Sequence, residues 1–293
     1  MEKDYFAMIP PKNVIIDKLW RGSIDTHIHP GPDNRRDRNF DCLQIAHLAR
    51  EAGMRAIVLK SKCYPTAAIA TMANRLFPGI KVIGSVVLDS EVGGLNREIV
   101  ECQAMLGAKV LWMPTMSAIQ CKKALNLGGG IALLDSNGKV LPEVIDILKI
   151  VKKYNMVLAN GHISFAETVP LFEEAVRIGI TKMVVTHPLL DILWPPMSLD
   201  EMKQLVSMGA YIDHTFSPCM PLVARYDPRK IVEAIRAIGA ERTIMSTDMP
   251  QATDPAPCEG LRMFIGTMLQ LGVSEAEVEF MVKTIPAQLL DLD

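Results

Sequence analysis

The sequence predicts an α/β chain folded as a (β/α)8 TIM barrel, with an insertion between the fourth strand and fourth helix over the C-terminal mouth. Three observations carry this. From about residue 22 onward, short β-branched apolar runs alternate with longer segments of helical spacing. The strand candidates number eight, enough to close a barrel of parallel strands. They end at residues 29, 60, 88, 114, 162, 187, 214 and 248, in steps of 25–34 residues apart from one of 48.

In order, the strands are GSIDTHIH (22–29), RAIVLK (55–60), KVIGSVVL (81–88), AKVLWMP (108–114), MVLANGH (156–162), KMVVTH (182–187), AYIDH (210–214) and TIMSTD (243–248). The helices expected after them span 40–53, 67–77, 96–107, 143–155, 167–179, 198–209, 228–239 and 258–272. Six of these end in Gly and the fourth in Asn, the residues that favour a left-handed C-cap. The long step carries Gly128, Gly129 and Gly130, then two apolar stretches joined by Ser136-Asn137-Gly138, a hairpin-turn signal. Because this insertion follows a strand, a barrel places it at the mouth where active sites lie, and it reads as a partial lid. An open doubly wound sheet is the alternative, but its GxGxxG phosphate turn is missing. The expected organisation is one unit over 1–293, with an N-terminal extension (1–21), a barrel (22–272) and a C-terminal helical segment (273–293).

Composition narrows the function. Of 293 residues, 31 are basic and 33 acidic, so no broad cationic field exists to steer nucleic acid. No apolar run approaches the roughly 18 residues of a spanning helix, and MEKDYFAMIPPKN lacks a secretory pattern. The expectation is a cytoplasmic protein with no membrane or nucleic-acid partner. Six scattered cysteines without a CxxC pair read as reduced, mostly buried thiols.

The polar residues fall at strand ends. His27 and His29 close the first strand, His162 the fifth, His187 the sixth, His214 the seventh and Asp248 the eighth, while His47 alone lies in a helix as a packing or surface residue. Alternation along a strand turns His27 and His29 to one face with Asp25 behind them. An HxH pair alone can be structural. Imidazoles from strands one, five and six meeting an aspartate from strand eight suit zinc or a similar divalent ion.

The stretches IDTHIHPGPD, ANGHIS, VVTHP and GAERTIMSTDMP, with the ending VKTIPAQLLDL, resemble motifs of the amidohydrolase superfamily of metal-dependent TIM-barrel hydrolases. The nearest likeness is to an uncharacterised, compact amidohydrolase-like group, and the anchor points span residues 22–292. The resemblance implies that His27, His29 and Asp248 bind a more buried ion and that His162 and His187 bind a second, if there is one. Zinc is the expected ion, with manganese, iron or nickel compatible. Asp248 would also take a proton from the metal-bound water and pass it to the leaving group. The resemblance further implies a small-molecule substrate and a homo-oligomer.

One departure stands out. Two-metal members often close strand four with a carboxylated lysine or a glutamate, where this chain has Trp112-Met113-Pro114-Thr115, and Lys109 lies at the wrong end. Lys60, closing strand two, is the best substitute: a carboxylated bridging ligand, a cation holding a substrate carboxylate, or a rim lysine. Lys62 lies beyond the strand and reads as solvated. Cys63 reads as a thiolate ligand or, more simply, an inert thiol. His214 is an oxyanion or substrate donor, or else supports another residue. Arg35, Arg36 and Arg38 after strand one, and Arg97 after strand three, suit a carboxylate or phosphate, though Asp33 and Asp37 offer internal pairs. Trp112, Met113 and Trp194 form a substrate wall or core, and Thr115 is a further substrate-contact candidate.

The function these residues imply is metal-dependent hydrolysis of an amide, lactam, lactone or ester in a small anionic molecule. The alternatives are a single-metal decarboxylase of the same superfamily, a phosphotriesterase-like phosphoesterase, and a non-catalytic metal-binding module. Retention of Asp248 argues against the last, since a structural site needs no proton-shuttling carboxylate.

Overall fold

The computed structural model describes residues 12–191 and 195–292. Parallel strands form its centre: β1 (Ile24–Ile28), β2 (Ala56–Leu59), β3 (Lys81–Ile83), β4 (Ser85–Val87), β5 (Val110–Trp112), β6 (Val157–Ala159), β7 (Met183–Thr186), β8 (Tyr211–Thr215) and β9 (Thr243–Ser246). The third expected strand is thus two pieces, β3 and β4, split at Gly84. A Cβ there would sit 2.4 Å from the Ala67 Cα, so the helix Ala67–Leu76 begins too close for any side chain. β5 to β9 are the fourth to eighth expected strands. Ile28 bridges to Met249, the His29 N–H donates to the Met249 carbonyl at 2.8 Å and the Asp248 N–H to the His27 carbonyl at 2.8 Å. These bonds close the ring, and the expected barrel is observed.

The surrounding helices begin and end within a residue or two of expectation, from Cys42–Glu51 through Pro257–Gln270. Capping boxes explain three of the starts: Asp41 with Gln44, Ser164 with Glu167 and Ser198 with Glu201. Left-handed residues end them as expected, including Asn155 (φ 51°) and Gly179 (φ 88°). Apolar faces of helices and strands make an outer core layer, and a separate cluster fills the barrel. The helix Ile285–Leu290 plugs the bottom, its Ile285 and Leu289 packing with Ile24, Val110 and Ile244. Lys109 bonds Asp291 there at 3.2 Å, far from the mouth.

The insertion after β5 holds the helix Ile119–Ala124 and an antiparallel bridge between Leu134 and Val140 around the Asn137-Gly138 turn. The helix Lys12–Trp20 lies on Pro257–Gln270, tied by Asp17 to Arg262 at 3.0 Å and by the Trp20 indole N–H to the Cys258 carbonyl at 2.8 Å. Among the described residues, no helix is long and apolar enough to cross a membrane.

Candidate metal centre

β1 supplies the first two imidazoles by an irregularity. Its register against β2 shifts between Asp25 and Ile28, so that Thr26 lines the barrel interior with Trp112 while the His27 ring also packs 4.9 Å from the Trp112 ring. Regular alternation would have set Asp25 behind the histidines. Instead its carboxylate turns to Thr247, accepting from the hydroxyl at 2.6 Å and from the N–H at 3.1 Å, and burial raises its pKa to about 7. His27 and His29 remain together, with ring centres 5.2 Å apart. The turn after β9 brings Asp248 against them: its Oδ1 lies 3.2 Å from His27 Nε2 and 2.9 Å from His29 Nε2. Asp248 holds φ at 58°, an uncommon conformation for a residue with a side chain.

The second pair comes from β6 and β7. The His162 N–H donates to the Pro114 carbonyl at 3.0 Å, and the Asn160 side chain accepts from the Thr186 N–H at 2.8 Å, locking the loop between neighbouring strands. Gly161 makes this possible. It adopts φ 63°, and a Cβ there would lie 2.2 Å from the Met113 carbonyl oxygen. Gly161→Ala is therefore expected to destabilise the protein by about 2–4 kcal/mol, since left-handed strain and the clash act together. Thermal denaturation measures it, and an unchanged midpoint would show that the loop can move without cost. The His162 and His187 rings are 4.9 Å apart, and His187 lies 5.8 Å from His27, so all four imidazoles meet at the mouth.

Lys60 reaches the same point. Its side chain is fully buried, with Nζ 3.0 Å from His27 Nε2 and 4.3 Å above the Trp112 ring centre. Burial lowers its pKa to about 7, opposed by the charges of Asp248 and Asp213. Burial likewise lowers His29 and His162 well below the usual imidazole range and His187 to about 3, leaving neutral lone pairs. Burial opposes the Asp248 charge, but the adjacent His27 and His29 more than offset it and hold the carboxyl well below its usual range.

These donors fit a divalent ion: one nitrogen each from His27 and His29 and one Asp248 oxygen all lie within 4.8 Å of one another. The support around them fits too. Asp213 Oδ2 sits 3.2 Å from His27 Nδ1, and its Oδ1 accepts from the Ser246 hydroxyl at 2.5 Å. A carboxylate on Nδ1 holds that nitrogen protonated and leaves Nε2 for an ion. Sequence reading missed Asp213, although alternation along AYIDH carried the signal. With Asp213 turned inward, His214 must face the helices, where it lines a small cavity with Tyr226 and Ile231 and burial lowers its pKa to about 4. The structure does not bring His214 to the cluster, and the seventh-strand contact with His27 belongs to Asp213.

At the mouth, Arg38 pairs with Asp33 at 2.7 Å and donates to the Pro250 carbonyl at 2.8 Å. Arg35 pairs with Glu91, and Arg36 donates to the Gln251 side chain at 3.2 Å, both lining an open cleft of 730 Å3. Arg97 is exposed, 3.9 Å from Glu98 on its own helix, and is not brought to the cluster. Thr115 is buried and spends its hydroxyl and N–H on Asp89. Met113 is core, and Trp112 is buried beneath His27 and Lys60. Trp194 lies outside the described residues. Cys63 is half-buried, its Sγ 2.8 Å from the Asn34 side-chain oxygen, and burial raises its pKa. His47 is exposed beside Phe77. Two residues went unnoticed in this role. Cys121, carried in by the insertion, places Sγ 3.4 Å from His162 Nδ1. Lys62 is half-buried rather than solvated, close enough for its charge to act on His29 and His162, and has no hydrogen bond or ion pair among the described residues.

The family model of DUF6282, a family of unknown function, matches residues 22–213. No curated protein matches the sequence. Among solved structures, the chain is similar to the probable dipeptidase PvdM from Pseudomonas aeruginosa, at TM-score 0.66 and 12% identity over 96% of this chain and 98% of that one. An amidohydrolase from the same organism matches at TM-score 0.62 and 12% identity, covering 94% and 98%. 2,6-Dihydroxybenzoate decarboxylase from Rhizobium matches at TM-score 0.53 and 15% identity, covering 93% and 99%. At such identities the likeness is one of fold, a barrel of parallel strands ringed by helices.

Proposed function

We propose that this chain, which belongs to the DUF6282 family, is a metal-dependent hydrolase that cleaves an amide, lactam, lactone or ester bond in a small anionic molecule. The observation that carries this reading is the meeting of His27, His29, Asp248 and Lys60 at one point of the mouth. His27, His29 and Asp248 would hold one ion, with His162, His187 and Lys60 placed for a second. A bound divalent ion supplies Lewis acidity, making a water nucleophilic near neutral pH and polarising an acyl oxygen.

The chain's own residues do the rest. Asp248 Oδ1, the oxygen facing His27 and His29, would join them on the ion, which leaves Oδ2 to take the proton of the attacking water and return it to the leaving group. Trp112 and the buried strand ends keep bulk water from beneath the site. Lys62 is a mouth cation without a protein partner among the described residues, which supports an anionic substrate. Lys62→Met is expected to raise KM for such a substrate about 10- to 100-fold with kcat little changed, the worth of one charge-assisted hydrogen bond. An unchanged KM would remove Lys62 from recognition. The reading as a whole is tested by metal analysis together with turnover on a panel of lactones, N-acyl amino acids and phosphotriesters. Metal-loaded protein inactive on every hydrolysable class would count against it.

A second reading, a single-metal decarboxylase, is favoured by Trp112–Thr115 standing where a bridging ligand is common, and by the three-residue ligand group His27, His29 and Asp248. One ion per chain with unmodified Lys60 would select it.

A further inference from the structure

We infer that His214 positions His187 through a single bound water, held between β7, β8 and the helix Arg229–Ile238. Three buried polar atoms have no hydrogen-bond partner among the described residues at this place: His187 Nδ1, His214 Nε2 and Thr215 Oγ1. Their residues are only 5%, 1% and 4% exposed. All three residues line one cavity, whose remaining wall is largely apolar, with Leu190, Tyr226 and Ile231 among its members. The cavity volume is 10 Å3, about what the centre of one water needs.

Three such groups left unpaired in the interior would each be destabilising, and one water satisfies them together. It accepts from the His187 Nδ1–H and donates one hydrogen to His214 Nε2 and the other to Thr215 Oγ1. His214 is then the neutral tautomer with its proton on Nδ1. The bond fixes the proton of His187 on Nδ1 and turns an unprotonated Nε2 toward the cluster. Adjacent residues of β8 thus serve the two sides of the site: Asp213 acts inward on His27 directly, and His214 acts on His187 from the helix side through water. A ligand histidine commonly hands its second N–H to a carboxylate, carbonyl or water, so the device has a physical role. Its functional consequence rests on the reading of His187 as a metal ligand.

The test separates the two. In metal-free protein with isotope-labelled histidine, the His187 Nδ1–H is expected to exchange slowly with solvent and at least about 10-fold faster in His214→Phe. Thr215→Val, which removes one anchor of the water, should move the rate in the same direction by less, and it serves if the phenylalanine variant does not fold. Equal exchange rates in wild type and both variants would overturn the water-mediated contact. Zinc competition against a chromophoric chelator then reads the consequence: His214→Phe should weaken binding about 10- to 100-fold, with partial recovery in His214→Gln. An unchanged zinc affinity would overturn the positioning role. Wild-type protein that takes up no zinc would instead defeat the metal reading, while the exchange rates still decide the contact.

Discussion

Asp248→Asn is expected to lower turnover about 100- to 10,000-fold, the usual contribution of a positioned general base, while metal content stays near that of the wild type. Asparagine keeps the size of the side chain and one oxygen that can join His27 and His29 as a ligand of the ion, so the turn after β9 and the φ of 58° need not change. It loses the ability to accept a proton on Oδ2. The imidazoles of His27 and His29 come from the other side of the ring closure and stay in place, clamped by Asp213 and by the bonds between β1 and the turn after β9. Elemental analysis of the purified variant, read beside turnover, separates lost chemistry from lost metal. Undiminished turnover with full metal content would remove Asp248 from proton transfer.

Lys60 carries the next largest expectation. A fully buried lysine 3.0 Å from the His27 imidazole, its pKa lowered by burial to about 7, has its neutral amine favoured over that of an exposed lysine. That form can add carbon dioxide and release one proton to solvent to give a carbamate, which would replace a buried cation beside four imidazoles with an anion able to bridge two ions. Intact-mass measurement of metal-loaded protein under native conditions is expected to show one added CO2. Lys60→Met, which keeps the chain length and removes the nitrogen, should then release one of two ions and cost at least about 100-fold in turnover. If Lys60 holds a substrate carboxylate instead, the same variant would retain both ions and raise KM, and the mass would be that of unmodified lysine. The metal count decides between the two roles.

Much of this protein is legible in its sequence because the features concerned are local. Eight apolar runs at near-regular steps foretell the ring of strands, and Asn155 and Gly179 mark helix ends through their preference for left-handed dihedrals. The strand-end placement of His27, His29, His162, His187 and Asp248 follows from the same pattern. What the sequence leaves undecided is the phase of each strand and the partner of each charge. A register shift in β1 turns Thr26 and His27 inward and releases Asp25 to Thr247, and the inward phase of β8 selects Asp213 over His214. Gly161 is required because the Met113 carbonyl just past β5 lies 2.2 Å from where its Cβ would be, and Arg35 and Arg36, which read as substrate contacts, are drawn to Glu91 and Gln251 from other loops. The sequence by itself determines the barrel and the rim on which its ligands stand. Only the tertiary structure decides which side chains face one another, because that depends on bulges, close approaches and pairings between segments far apart in the chain.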